Sequence, residues 1–158
     1  MNGIYILAIS VKKEIRLKIG SLGIKNFDSG LYVYVGSAQN GLKKRIMRHM
    51  KRSKRKFWHI DYLLSNKNVK IIEAFYKEAE SAWECKTASK LCEIGLPVNG
   101  FGSSDCRCRS HFFKIKNHQS LIEFIKANNF RRFQYCGKAG VSGLPACLEA
   151  ASPLLRVH

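Results

Sequence analysis

Acidic residues are scarce in this chain. Only 11 Asp and Glu stand against 28 Lys and Arg, a formal net charge of +17 over 158 residues. That excess is far beyond what solubility requires. It predicts a polyanionic partner, nucleic acid ahead of an anionic membrane surface, against the plain alternative of a solvated basic surface. Long apolar runs are missing as well. The opening MNGIYILAIS is apolar, but it is too short to span a bilayer and has no charged leader. It reads as a strand, so no membrane role is expected and the cytoplasm is the default location. No internal repeat and no separate recognition domain are visible, which argues against strong sequence specificity. Cysteines paired at two-residue spacing, the usual zinc pattern, are also absent. Six cysteines are present nonetheless: Cys85, Cys92, Cys106, Cys108, Cys136 and Cys147. A cytosolic chain keeps them reduced. Cys106-Arg107-Cys108 with His111 looks like part of a metal site, and Cys85 and Cys92 could add ligands. Buried core thiols are the competing reading.

Hydrophobic residues make up 46% of the chain, enough for one domain with a real core. The pattern predicts strands at 3–10, 14–19, 31–36, 69–76 and 110–115, with room for another short strand within 20–30. In LYVYVG, Tyr32 and Tyr34 should face one way and Val33 and Val35 the other. Helices are predicted over 41–53, capped by Asn40, and over 57–64, 78–94 and 118–130. Residues 96–108 read as a glycine-rich loop. The expected fold class is α/β: a small, mixed, mostly antiparallel sheet flanked by helices. The expected organisation is a domain over 1–116 and a helix packed on it within 117–136. A compositionally distinct tail follows at 137–158, a flexible or partner-binding segment or a reading-frame artefact.

Three groups stand out chemically. On the first helix, Leu42, Ile46 and Met50 mark the buried side, and Arg45 and His49 stack along the adjacent seam. Arg45 suits a phosphate clamp, because its planar guanidinium stays charged and matches phosphate oxygens. Nine cations fall between Lys43 and Lys56. Lys43, Lys44, Arg48, Arg52, Lys54 and Arg55 are candidates to track a nucleic-acid backbone, with Ser37 and His59 as further phosphate contacts. Glu84 falls among Ala88, Leu91 and Cys92 on its helix. A carboxylate on that apolar stripe is costly unless a cation compensates it, and Mg²⁺ can do so with one protein carboxylate and several waters. Glu80 is the fallback, and a helix-terminal acid stabilised by the macrodipole is the plain alternative.

Gly3-Ile4-Tyr5 opens the first strand, Tyr34-Val35-Gly36 closes a later one, Arg45 and His49 follow four residues apart, and Glu84 lies on a later helix. This constellation, over about residues 3–115, resembles the GIY-YIG nuclease family. The FGSSDCRCRSHFF segment and the long gap between the motifs are similar to the small standalone prokaryotic Uri-type endonucleases. The gap from Tyr5 to Tyr34 is longer than in the family's homing and repair nucleases, and it predicts an extra hairpin at 12–28. The resemblance implies a metal-dependent endonuclease cutting phosphodiester bonds, DNA favoured, with Mg²⁺ or Mn²⁺ on Glu84. It implies that Tyr5 activates water, as base or through a relay, and that Tyr34 orients water or phosphate. Arg45 would clamp the phosphate, and His49 would transfer a proton or contact phosphate. Gly36 would allow a tight strand exit and close phosphate approach. Asn99 would support the site. Asp105 and Cys106 belong to the signature without an assigned mechanism. Two rivals remain: a nuclease-like module that binds nucleic acid without cutting, and a zinc-stabilised interaction protein built on Cys106, Cys108 and His111.

Overall fold

Strand β1 (Gly3–Val11) organises the molecule, because every residue of GIYILAISV but Ser10 is buried. It pairs antiparallel with β4 (Gly30–Ala38) on one edge and with β5 (Val69–Glu78) on the other. The structure is a computed structural model that describes residues 1–134. The expectations for 137–158, and Cys136 and Cys147, lie outside the described residues. A hairpin of β2 (Ile15–Lys18) and β3 (Ile24–Phe27) stands apart from the main sheet and carries a 3-10 turn at Gly20–Leu22. This is the hairpin expected at 12–28.

Helices α1 (Leu42–Met50) and α2 (His59–Leu64) come before β5. After it come α3 (Ala82–Leu91), β6 (Gly95–Pro97), β7 (Phe112–Ile115), α4 (His118–Ala127) and β8 (Arg131–Arg132). The six-stranded sheet runs β6-β7-β4-β1-β5-β8, with antiparallel pairing between neighbours. The α/β expectation holds.

Alternation in β1 and β4 gives the sheet two buried faces. Tyr5, Leu7, Ile9, Tyr32 and Tyr34 pack with Leu42 and Ile46 of α1 and Ile60 and Leu63 of α2. Ile4, Ile6, Val33 and Val35 pack with Ala88 and Leu91 of α3 and Leu121, Phe124 and Ile125 of α4. The predicted split between Tyr32/Tyr34 and Val33/Val35 is therefore observed.

Several boundaries differ from the pattern. Asn40 does not cap α1. Gly41 takes that position at φ 72°, a left-handed conformation that suits glycine, and the Leu42 N–H donates to the Met1 carbonyl. Gly95–Pro97 pairs with β7, although Leu96 and Pro97 read as loop and Gly95 falls between the predicted helix and that loop. Helix α4 stops before Asn129, which adopts φ 61°, and the chain then forms β8 on β5.

Candidate active site

The site grows from a cross-strand pair. Tyr5 on β1 lies opposite Gly36 on β4. A Cβ at position 36 would stand 2.5 Å from the Tyr5 hydroxyl oxygen, so the phenol lies across the bare Gly36 backbone. Gly36 is thus not a strand exit: β4 continues to Ala38, and the glycine makes room for Tyr5. Behind the ring, the Tyr5 hydroxyl and His49 Nε2 share a hydrogen bond of 2.7 Å. His49 is buried, and burial pushes its pKa from 6.5 down to about 3, so the ring is neutral. Burial likewise raises the phenols of Tyr5 and Tyr34, outweighing the opposing pull of Arg45. A nearby cation alone would lower a phenol, but desolvation wins at both rings.

Tyr5, Tyr34, Gly36, Ser37, Arg45, Trp58, His59 and Glu84 line one polar cleft of about 340 Å³. Arg45 donates to the Ser37 carbonyl at 3.1 Å, and its guanidinium lies 4.7 Å from the centre of the Trp58 ring. That stacking holds a planar cation at the cleft wall. The Ser37 hydroxyl donates to Glu84 Oε1 at 3.0 Å. Glu84 Oε2 lies 3.0 Å from His111 Nδ1, a close approach rather than an aligned hydrogen bond. His59 Nδ1 accepts from the Gly102 N–H at 2.9 Å. In the neutral ring, which burial favours, the proton must then sit on Nε2.

The model of the domain of unknown function DUF123 matches residues 4–134. The chain belongs to the DUF123 family. No curated protein and no solved structure matches it. In this DUF123 chain, the matched span takes in Tyr5, Tyr34, α1, α2, α3 and the 98–111 loop.

The cationic run is less open than its sequence implies. Arg48 makes a two-point pair with Asp61, each bond 3.0 Å, and lies 4.5 Å from the Trp58 ring centre. It also donates to the Arg55 carbonyl. Arg52 donates to the Asn66 carbonyl at 3.0 Å, and Lys54 to the His49 and Lys51 carbonyls. Arg48 and Lys54 therefore brace the 51–58 segment from half-buried positions, while Arg52 is tied to the Asn66 carbonyl and stays exposed. Lys43, Lys44 and Arg55 are exposed as expected. His49, expected over the same spot as Arg45, sits behind Tyr5 and does not line the cleft. Asn99 is outside the lining too, and accepts from Arg109.

Sequence reasoning left Asp105 without a role and missed Ser21, Trp58, Tyr62, Gly102 and Ser104, all of which line the cleft. For Trp58 the signal was available: an aromatic beside cations spaced to reach it. Glu84 presents a half-buried carboxylate to a polar cleft that Asp105 also lines. The DUF123 cysteines separate cleanly. Cys92 is exposed and lies outside the cluster found among the described residues, in which Cys85, Cys106, Cys108 and His111 gather with their ligand atoms within 4.8 Å of one another.

Proposed function

We propose that the chain is a metal-dependent endonuclease of the GIY-YIG type that hydrolyses phosphodiester bonds in nucleic acid, DNA favoured. The observation that carries this reading is the convergence of Tyr5, Tyr34, Arg45 and Glu84 on one cleft from β1, β4, α1 and α3. A phosphodiester bound there would meet the Arg45 guanidinium, already stacked and planar for two phosphate oxygens. Tyr5 and His49 form a relay: as water attacks phosphorus and the opposite ester P–O bond breaks, the water proton passes to the phenol oxygen, the phenol proton passes to His49 Nε2, and the leaving oxygen takes a proton from solvent. The added negative charge of the substrate favours that imidazolium. Tyr34 orients the water or the phosphate. The His59 Nε2–H can donate to a phosphate oxygen. Glu84 would hold Mg²⁺ or Mn²⁺, which supplies charge neutralisation at the reacting phosphate. The reading puts the protein's work in the cytoplasm, where its thiols stay reduced.

A second reading rests on one observation. Both Glu84 oxygens already have partners, Ser37 and His111. A module that binds nucleic acid without cutting would keep them so. The test is cleavage of plasmid and oligonucleotide substrates with and without Mg²⁺ or Mn²⁺. Wild type is expected to nick DNA, with Tyr5→Phe, Arg45→Ala and Glu84→Ala slower by roughly 100-fold or more. No turnover with any divalent metal, alongside salt-sensitive binding indifferent to Glu84→Ala, would establish the binding module instead. Equal cleavage by wild type and all three variants would mean contamination or another site.

A further inference from the structure

We propose that Cys85, Cys106, Cys108 and His111 bind a structural zinc ion, and that this ion fixes Glu84 through the opposite nitrogen of the His111 ring. The four residues come from two elements far apart in the chain, α3 and the 98–111 loop. Their ligand atoms nevertheless lie within 4.8 Å of one another. Tetrahedral zinc with Zn–S near 2.3 Å and Zn–N near 2.0–2.1 Å sets sulfurs about 3.8 Å apart and sulfur about 3.6 Å from nitrogen. Cys106 Sγ is 3.5 Å from His111 Nε2, and Cys85 Sγ is 4.0 Å from it. Closing the cluster onto an ion therefore asks for shifts in separation of about 1 Å or less. Three thiols and an imidazole form a closed donor set, as structural zinc prefers, with no position left for water.

The one-residue gap between Cys106 and Cys108 works because the loop is folded back on itself. Gly100 N–H donates to the Arg109 carbonyl, and His111 N–H to the Phe101 carbonyl. Gly100 and Gly102 take positive φ values of 78° and 73° to make the bend. His111 is 2% exposed, so its ring cannot swing into solvent. With Nε2 on a metal, Nδ1 must carry the proton, and Nδ1 is the atom 3.0 Å from Glu84 Oε2. A carboxylate behind a metal-bound histidine fixes ring orientation and tautomer. Here that same carboxylate also faces the cleft. The zinc site stands without the nuclease reading; only its consequence for Glu84 rests on it.

The decisive experiment measures metal in the full chain purified under reducing conditions. One zinc per chain is expected in wild type and in Cys92→Ser, and none in Cys108→Ser. Because Cys108→Ser can fail to fold, Co²⁺ is also titrated into reduced, zinc-depleted wild type. The thiolate charge-transfer and tetrahedral d–d bands are expected to saturate at one equivalent. Absence of stoichiometric zinc together with absence of those bands overturns the site, as does a disulfide within the trio found by thiol titration under the same conditions. His111→Cys keeps four ligands but removes the imidazole behind Glu84. It is expected to retain zinc and to bind Mn²⁺ about 10-fold more weakly, read by electron paramagnetic resonance. Retained zinc with unchanged Mn²⁺ binding overturns the link to Glu84 and leaves the zinc site standing. Zinc present without any nuclease activity counts against the proposed function and for the zinc site.

Discussion

His49 shows how burial and chemistry pull against each other at one residue. Its ring is neutral when folded because charging it would cost solvation, and its folded pKa is about 3 against an ordinary 6.5. The unfolded chain therefore takes up a proton first as pH falls. Stability is unaffected above pH 6.5, declines between pH 6.5 and about 3, and levels off below that for this group. Wild type should lose about 1.4 kcal/mol per pH unit across that window relative to His49→Gln. Urea unfolding of both proteins at several pH values measures it, and parallel curves would refute the buried neutral ring. Tyr5, Tyr34, Arg45 and Glu84 were legible through the resemblance to the GIY-YIG motifs; periodicity alone leaves the tyrosines as ordinary sheet residues and Arg45 as one cation among many. The job of Gly36 was not. A glycine followed by a polar residue reads as a strand end, and only the register with Tyr5 shows that its missing Cβ makes room for a ring.

Among the elements, α2 does more than six residues suggest. Asp61 is fully buried in its first turn and accepts from the Phe57 and Trp58 N–H groups, each at 2.9 Å, and from Arg48. Burial alone would raise its carboxyl, but these hydrogen bonds outweigh it and hold the pKa below the ordinary 3.8. Asp61 thus ties α1, the 51–58 segment and α2 into one wall of the cleft. Asp61→Asn should destabilise the fold by about 3 kcal/mol, because it leaves a partly buried guanidinium without its counter-charge. Denaturant unfolding with Arg48→Met as the partner substitution in a double-mutant cycle checks it; additive effects would show no pairing energy. Helix periodicity puts Arg48 on the outer side, yet it is half-buried against Asp61, an acid 13 residues on that periodicity cannot see. Strands β6 and β8 were missed for a similar reason. Three and two residues are too short to show alternation, and pairing with β7 and β5 decides their state.

On the scale of the whole molecule, the +17 charge divides into cations that hold the fold and cations that face water. Arg48 and Lys54 belong to the first group, Lys43 and Lys44 to the second. If the second group meets phosphates, the Lys43→Glu/Lys44→Glu double variant should weaken DNA binding. The slope of log affinity against log salt should also become shallower by about 2, since each phosphate contact contributes about 0.9. Fluorescence anisotropy across a salt series reads both, and an unchanged slope would remove these lysines from the interface. Charge counting from sequence cannot make this division, because intramolecular partners decide it.

Strand β1 is hydrogen-bonded along both edges and covered on both faces. Its amide hydrogens can exchange with solvent only when the entire domain opens, whereas the loops around the cleft can open locally. The Tyr5 phenol is thus mounted on the last part of the molecule to come apart. Whatever rearranges as a ligand enters, the reference point for its alignment stays still.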